Sequence, residues 1–378
     1  MTRPAYISAT GQFLPGEPVD NDGMAAHLGA ISEEGLRMGR LFLRRNRIRG
    51  RHYAMRPDGT TEWTLAKLGA KAVHDCLDRA GLDRKALTYL ASATTQNDLM
   101  VPGFASGVQA EAGLPPLEIA SLQSVCASGL MALKAAWREI GAGDHEAALA
   151  VGAEFSSRYF RPGFYRGTAT LSEDGILPAD AEFLRWTLSD GAAAALLEPK
   201  PAARGISLRI DWISLRSFAD RFPPCMTGGG IRGDGAITPW SHAASIEEAA
   251  RAGAFQLRQD VDVLARMLPV WVGEMMRLVD LGRIVPDAVD WFLCHYSAHN
   301  FREELIDLAV RAGCMIDEAK WFTNLYEKGN VGAASLFLLI DDLLRSGKVE
   351  PGQTILCAIP ESGRCIMGYA QLTAVGPG

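Results

Sequence analysis

The chain of 378 residues is predicted to be an α/β protein. Segments with a helical spacing of apolar residues alternate with short, wholly apolar segments typical of buried strands, and the second half repeats the order of the first. Hydrophobic residues make up 48% of the chain and charged residues 22%, which is the composition of a globular protein long enough for two ordinary domains.

The first half contains two helix-and-strand units. Residues 5–9 form a strand-like segment at its start. Apolar positions at helical spacing then predict a helix within 61–81, and the apolar run 89–95 predicts a buried strand. A second helix is predicted over 127–140 and a second strand over 147–153, separated by a glycine-containing break.

The second half repeats this order at an offset of roughly two hundred residues. The strand-like segment 291–297 corresponds to 89–95. The helical segment at 335–339, followed by a strand over 354–359, corresponds to the helix at 129–133 and its following strand. Two copies of one α/β unit would bring active-site residues together at matching strand ends and helix starts.

Two long segments interrupt the pattern. Residues 155–190 and 213–245 lack periodicity and are predicted to be inserted loops that shape a pocket or a dimer surface. Within the second insert, residues 228–233 formally match a dinucleotide-binding glycine pattern. No buried strand precedes them, so a flexible loop is predicted instead.

Charge and cysteine content exclude several classes of protein. The net charge of -6, from 38 basic and 44 acidic side chains, disfavours a nucleic-acid-binding function. The seven cysteines include no closely spaced pair, which argues against a disulfide framework or a metal site. No apolar run reaches the length of about 18 residues that a membrane span needs, and the N-terminal segment lacks a secretory pattern, so a cytoplasmic protein is expected.

Cys126 is the first candidate for chemistry. It stands where a strand-like segment passes directly into the predicted helix, so its thiol would lie at a helix N-terminus. Amide N–H groups at that end favour the thiolate, the nucleophilic form of cysteine. The small residues 127–129 would let a thioester approach closely, whereas the competing interpretation is a small core residue.

His295 and Asn330 are the candidates in the second half. His295 ends the predicted strand 290–295, and Asn330 lies in a glycine-rich turn that enters an apolar helix. A hydrogen-bonded core histidine and a helix cap are the competing interpretations. In one cleft, the imidazole and the amide NH2 would supply two donors for one carbonyl oxygen, as enolate chemistry requires. His299 lies four residues after His295, but the Glu of a paired-histidine metal motif is absent.

The order of Cys126, His295 and Asn330, with the duplicated α/β units, resembles the thiolase superfamily and most closely its β-ketoacyl-ACP synthase III (KAS III) branch. The similarity covers nearly the whole chain. It includes the Arg-rich segment 47–52 and the motif Ser189-Asp190-Gly191.

This resemblance implies the thiolase fold, in which two halves of βαβαβαββ type pack as a five-layered α-β-α-β-α sandwich. Residues 1–198 would form the half that carries the cysteine, and residues 199–378 the half that carries the histidine and the asparagine.

The resemblance also implies roles for the candidate residues. Cys126 would take an acyl group from acyl-CoA or an acyl carrier protein (ACP), while His295 and Asn330 hold the carbonyl of a malonyl thioester as CO2 leaves. The backbone N–H groups of Cys126, Gly363 and Arg364 would form the oxyanion hole. No cofactor and no metal are implied beyond these substrates.

Further positions follow from the family. Arg47, Arg49 and Arg302 would bind CoA or an acidic carrier protein. Val101 replaces a bulky aromatic residue that often enters the partner subunit's acyl pocket, which predicts a longer or branched acyl chain. A homodimer is implied as well.

The sequence departs from the family pattern beside the site. Tyr296, Ser297 and Ala298 follow His295 where the family has Gln-Ala-Asn, and Arg364 replaces a glycine of the C-terminal turn. These changes favour a specialised enzyme over the one that starts fatty-acid synthesis.

Three functional hypotheses follow. The first is decarboxylative Claisen condensation, or condensation onto a β-ketoacyl acceptor, in polyketide or unusual lipid biosynthesis. The second is transfer of an acyl or malonyl group from Cys126 to a hydroxyl or an amine, with His295 as the base. The third makes the chain the inactive partner of a ketosynthase pair.

Overall fold

The computed structural model describes residues 3–233 and 236–378, so Met1, Thr2 and residues 234 and 235 of the second insert lie outside the described residues. The strands are β1 (Tyr6–Phe13), β2 (Val19–Asp20), β3 (Gly50–Arg51), β4 (Tyr89–Thr94), β5 (Glu118–Gln123), β6 (Ala148–Glu154), β7 (Gly191–Glu198), β8 (Ser207–Ser217), β9 (Met226–Thr227), β10 (Gly230–Gly233), β11 (Ala236–Pro239), β12 (Arg258–Gln259), β13 (Trp291–Cys294), β14 (Thr354–Glu361) and β15 (Ile366–Val375).

The helices are α1 (Met24–Leu28), α2 (Glu33–Asn46), α3 (Leu65–Ala80), α4 (Phe104–Ala112), α5 (Ser128–Ala142), α6 (Ala179–Arg185), α7 (Ile246–Arg251), α8 (Val261–Asp280), α9 (His299–Arg311), α10 (Leu325–Lys328) and α11 (Ser335–Arg345). In the described part of the chain, no helix has both the length and the hydropathy to span a bilayer.

The main sheet has the strand order β13-β14-β15-β8-β1-β7-β6-β4-β5. The pairing of β1, β7, β6 and β4 matches that of β8, β15, β14 and β13 strand by strand. The parallel pair β4/β6 corresponds to β13/β14, and each copy continues with two antiparallel pairs. The internal repeat that the sequence predicts is therefore confirmed as a duplicated topology. The two copies join where Tyr6 and Ile7 of β1 pair with β8.

Alternation along the strands divides the core into layers. In the first half, Leu90 and Leu149 belong to one cluster with residues of α3 and α4, whereas Ala91 and Ala150 belong to another with residues of α5 and α11. Successive strand residues point to opposite faces, so helices cover both sides of these strands.

The second half is built in the same way. Phe292 and Leu356 lie in a cluster with residues of α8 and α9, while Leu293 and Ile355 lie in the cluster that contains α5 and α11. The helices α5 and α11 thus form a central layer between the strands of the two halves. This arrangement is the five-layered α-β-α-β-α sandwich of the predicted fold class.

The inserts contain more regular structure than their sequence indicates. The first holds α6, and the second holds the end of β8 together with β9, β10 and β11. The short strand β9 pairs with β12, about thirty residues further along the chain. Such pairing leaves no local periodicity, which is why the sequence predicts a loop there.

Candidate active site

Cys126 lies in the turn between β5 and α5. The N–H and the Oγ of Ser128 both donate to the Val125 carbonyl, at 3.1 and 2.7 Å, and this closes a tight turn around the cysteine. The residue is only 4% exposed. Its position at the beginning of α5 agrees with the sequence-based placement.

The surroundings of the thiol oppose its ionisation. Burial raises the pKa of Cys126 well above its ordinary value, and the nearby carboxylates of Glu361 and Glu154 raise it further. The expectation that the helix end favours a resting thiolate is therefore not met. Burial and two acidic side chains outweigh the helix N–H groups.

His295 follows β13 directly. Its N–H donates to the Ala358 carbonyl at 2.9 Å, which continues the pairing of β13 with β14. Burial lowers the pKa of His295 to about 4, so the imidazole is neutral near pH 7. Its Nε2 has a long contact of 3.4 Å with the Ser297 hydroxyl. Ser297 has a left-handed backbone (φ 59°), so the segment that replaces the family's Gln-Ala-Asn turns sharply beside the ring.

Asn330 is buried in the turn between α10 and α11. Its N–H donates to the Thr187 carbonyl at 3.3 Å, and its own carbonyl accepts from the Ser189 N–H at 2.8 Å. The side-chain Oδ1 accepts from the Gly332 N–H at 2.9 Å. The side chain is therefore oriented by its oxygen, and the Nδ2 group is left as its donor.

Close backbone packing brings the Asn330 turn onto the cysteine helix. A Cβ atom on Gly129, in the first turn of α5, would lie 2.1 Å from the Ala333 carbonyl oxygen. A Cβ atom on Gly152 of β6 would lie 2.5 Å from the same oxygen. Only glycine allows this approach, so the two glycines let the turn after Asn330 pack against the helix that begins after Cys126.

His295 is connected to the same region from the other side. It lines a small cavity together with Gly329 and Ser335, which flank the Asn330 turn. The strand that pairs with β13 ends at Glu361, and this residue bonds to the turn around Cys126. The structure thus brings the three candidates of the two halves into one region.

The predicted oxyanion turn packs against the turn that carries the cysteine. A Cβ atom on Gly363 would lie 3.0 Å from the Val125 side chain and 3.0 Å from a Glu361 oxygen, so the space suits glycine. Arg364 is exposed, and its Nε donates to the Phe222 carbonyl at 2.9 Å. This arginine therefore anchors the second insert. The backbone donor roles of Cys126, Gly363 and Arg364 stay a prediction.

Two of the predicted CoA- or carrier-binding arginines line a surface cleft. Arg47 and Arg49 border a space of about 480 Å³ together with His299. Both side chains are largely exposed and paired, Arg47 with Glu303 at 3.3 Å and Arg49 with Glu327. An anionic ligand at this cleft would compete with those carboxylates.

Arg302 lies in a different setting. Its guanidinium pairs with Glu318 at 2.8 Å and lies over the Trp321 ring at 4.9 Å. It is not among the residues that line the described cleft. Its predicted part in binding CoA or ACP stays a prediction.

Val101 lies on the surface, where it is 81% exposed. It belongs to the loop between β4 and α4. Its neighbours Leu99 and Met100 border a cavity of about 490 Å³ that also reaches the aromatic residues Trp240 and Phe255. A contribution of Val101 to the acyl pocket of a partner subunit stays a prediction.

Glu361 and Glu154 are the residues that sequence analysis missed. Glu154 ends β6, and its Oε1 accepts from Thr95 and from the Ala333 N–H. Burial raises the pKa of Glu154 to about 7. One signal in the sequence could have identified them. Glu154 and Glu361 each end an apolar strand, at the edge of the sheet where Cys126 and His295 were expected.

Within residues 3–233 and 236–378, no group of three or more His, Cys, Asp or Glu side chains is arranged to hold a metal ion. The seven cysteines are all buried and free.

Two family models match the chain, one in each half. The thiolase N-terminal domain matches residues 55–162, which include Cys126. The C-terminal domain of 3-oxoacyl-[acyl-carrier-protein] synthase III matches residues 282–360, which include His295 and Asn330.

Solved structures with the same fold cover almost the whole chain. The tetronic acid condensing enzyme AbyA1 is 22% identical, with 98% of this chain and 99% of that chain covered and a TM-score of 0.75. FabH, the 3-oxoacyl-(acyl carrier protein) synthase III of Pseudomonas aeruginosa, is 22% identical, with 98% of each chain covered and a TM-score of 0.69. A variant of OleA from Xanthomonas campestris is 15% identical, with 98% of each chain covered and a TM-score of 0.73.

These likenesses show the fold. The chain contains a thiolase N-terminal domain and a C-terminal domain of the 3-oxoacyl-[acyl-carrier-protein] synthase III type, and in this sense it is KAS III-like.

Proposed function

We propose that this enzyme transfers an acyl group from acyl-CoA or acyl-ACP to Cys126 and joins it to a malonyl or β-ketoacyl thioester, in polyketide or specialised lipid biosynthesis. The observation that carries the proposal is the packing of the Asn330 turn directly on the Cys126 helix, with His295 in the same region. The name of the tetronic acid condensing enzyme among the related structures supports a specialised pathway.

The first half-reaction forms the acyl-enzyme. The Cys126 sulfur bonds to the acyl carbon, the donor's C–S bond breaks, and the cysteine proton passes through His295 to the departing thiol. A neutral His295 suits this transfer because it has a free lone pair to accept the proton. The backbone donors of the Cys126 and Gly363 turns would stabilise the tetrahedral oxyanion.

The second half-reaction makes the carbon–carbon bond. The bond between the malonyl α-carbon and its carboxylate breaks, CO2 leaves, and the electron pair forms an enolate. His295 and the Asn330 Nδ2 group would donate to its oxygen. The enolate carbon then attacks the acyl carbonyl and releases the Cys126 thiolate, which regains a proton. With a β-ketoacyl acceptor no CO2 leaves, and the neutral His295 would take the α-proton as the enolate forms. The protonated His295 and the Asn330 Nδ2 group would donate to the enolate oxygen, and the released Cys126 thiolate would take that proton back.

We propose the cleft at Arg47 and Arg49 as the site that receives CoA or an acidic carrier protein. We also propose a homodimer. The strand β5 lies at the edge of the sheet, and exposed apolar residues accompany it, namely Ile119, Leu99, Met100 and Val101. An exposed edge with apolar side chains is typically covered by another chain.

The test measures the intact mass of the protein after incubation with a panel of acyl-CoA donors and malonyl-CoA. The variant Cys126→Ala is the control for the site of modification. Malonyl-ACP is then added and released CO2 is measured. We expect a Cys126-dependent adduct that is discharged together with CO2 release.

Two other outcomes identify the alternatives. An adduct that persists with malonyl-ACP, but moves to an alcohol or an amine without CO2, would make the enzyme an acyltransferase. No adduct from any donor would indicate the inactive partner of a ketosynthase pair.

A further inference from the structure

The buried carboxylate of Glu361 has no part in the reaction described above. It is the last residue of β14, and it is 1% exposed. Burying a carboxylate is costly unless its oxygens accept hydrogen bonds, so a buried glutamate at a strand end must be held by specific donors.

Both oxygens of Glu361 hold the turn that carries the cysteine. Oε1 accepts from the Ser124 hydroxyl at 2.5 Å. Oε2 accepts from the Val125 N–H at 3.1 Å and from the Ala127 N–H at 3.0 Å. The carboxylate therefore binds the amides on either side of Cys126.

In this arrangement, Glu361 accepts hydrogen bonds from amide groups that could otherwise donate to the Cys126 sulfur. Amide groups at a helix N-terminus stabilise a thiolate when they face it. Two of those next to Cys126 instead donate to Glu361. The same carboxylate also contacts the oxyanion turn, since a Cβ atom on Gly363 would lie 3.0 Å from its Oε1.

The charged groups around Cys126 favour the neutral thiol over the thiolate. Glu361 on β14 and Glu154 on β6 are the acidic groups that act on the thiol, and His295 on β13 is neutral near pH 7. Burial also raises the pKa of Glu361, but its partners are two backbone amides and a hydroxyl, which suit the ionised form.

We propose that Glu361 is a positioning residue for the nucleophile, which fixes the Cys126 turn by its hydrogen bonds and keeps Cys126 as a neutral thiol by its charge. The inference rests on the proposed role of Cys126. The thiol would then lose its proton only as the S–C bond to the acyl group forms, with that proton going through His295 to the departing sulfur. The resting enzyme would be protected from electrophiles that attack thiolates.

Two variants separate the charge from the contacts. Glu361→Gln keeps the shape and removes the charge: its oxygen can accept from both amides, and its NH2 group can donate to Ser124. Glu361→Asp keeps the charge, but it is one methylene shorter and loses reach to its partners. Glu350→Gln is the matched control, because it makes the same charge change on an exposed residue just before the other end of β14.

The measurement is the pH dependence of Cys126 alkylation by iodoacetamide, located by peptide mass spectrometry. We expect the midpoint for Glu361→Gln to fall by about one pH unit or more, because removal of a like charge favours the thiolate. The midpoint of Glu350→Gln should stay at the wild-type value, and that of Glu361→Asp should fall less than that of Glu361→Gln, because the charge remains. An unchanged midpoint in a folded Glu361→Gln protein would overturn the charge role.

Acylation by the preferred acyl-CoA tests the contacts. We expect Glu361→Asp to acylate roughly tenfold more slowly at pH 7, since a misplaced nucleophile loses attack geometry. A wild-type rate in this variant would overturn the positioning role, and thermal unfolding would confirm that each variant is folded. Alkylation needs no acyl donor and no condensation, so this test can succeed or fail independently of the proposed function.

Discussion

Asn330 uses its two side-chain amide atoms for different tasks. Oδ1 accepts from the Gly332 N–H, which fixes the turn, and Nδ2 is the donor assigned to the enolate oxygen. Asn330→Asp preserves an acceptor for Gly332 while it removes the donor. We therefore expect CO2 release from a malonyl thioester to fall about 100- to 1,000-fold, as after loss of one oxyanion donor. Acylation of Cys126, measured by intact mass, should stay close to the wild-type level.

Asn330→Ala is the companion variant, because it also removes the acceptor that holds the turn. It should lose CO2 release and thermal stability together. Equal CO2 release by Asn330→Asp and the wild type would contradict the donor role of Asn330.

Single functional residues could be predicted from the sequence where they stand between a strand and a helix or in a turn before a helix. Cys126 and His295 each lie where a strand ends, and Asn330 lies in a glycine-rich turn before a helix, so all three could be named as candidates. Glu361 and Glu154 could not be assigned, because a single glutamate has no spacing that distinguishes a buried anchor from a surface charge. Their partners come from segments more than fifty residues away or from the other half.

The helix α5 and the Asn330 turn meet at Gly129, and this contact sets the spacing between the turns that carry Cys126, the proposed nucleophile, and Asn330, a proposed enolate donor. Gly129→Ala places a methyl group where the Ala333 carbonyl oxygen would be 2.1 Å away. Alanine favours a helix interior over glycine by about 1 kcal/mol, but the clash involves backbone and should outweigh that gain. We expect a net loss of about 1–3 kcal/mol in the free energy of unfolding, together with loss of CO2 release.

Gly273→Ala is the matched control on another helix. This glycine is exposed within α8, and its Cβ would have no atom within 4 Å among the described residues. The substitution should raise the free energy of unfolding by up to about 1 kcal/mol and leave condensation unchanged. A Gly129→Ala protein as stable and active as this control would show that the two elements are free to move apart. Urea unfolding and CO2 release provide both readouts.

Elements with strong periodicity were predicted well, for a physical reason. The helix predicted over 127–140 is α5 (Ser128–Ala142), and the strand predicted over 89–95 is β4 (Tyr89–Thr94). The helix buries one face and the strand buries both faces, and each kind of burial leaves a regular apolar pattern in the sequence. The short strands of the second insert owe their form to distant partners. Local sequence therefore carried no signal for them.

The whole molecule depends on contacts that join the two duplicated halves. The main sheet is continuous across them through β1 and β8, and α5 and α11 share one core cluster. The boundary predicted between residues 198 and 199 falls between β7 and β8, next to this junction. Because so much surface is shared, we expect the halves to unfold together. The eight tryptophans occur in both halves and report on each of them.

One buried carboxylate makes this coupling testable. Asp341 of α11 is fully buried and accepts from Thr10 and Gln12 of β1 at 2.6 and 2.5 Å. It also pairs with Arg79 of α3 and with Arg345, both at 2.6 Å. Asp341→Ala removes the acceptor from all four donors. We expect a loss of about 2–4 kcal/mol in the free energy of unfolding. This range already allows for the partial exposure of both arginines, which weakens their ion pairs.

The surface pair Asp307–Arg311 on α9 is the matched control for this change. Both side chains are more than 60% exposed, so Asp307→Ala should cost less than about 1 kcal/mol. Urea unfolding followed by tryptophan fluorescence and by far-ultraviolet circular dichroism measures both variants. Coincident transitions in the wild type would show that the halves unfold as one unit. Two separate transitions, or an Asp341→Ala protein as stable as Asp307→Ala, would mean that each half is stable without the contacts across β1 and α11.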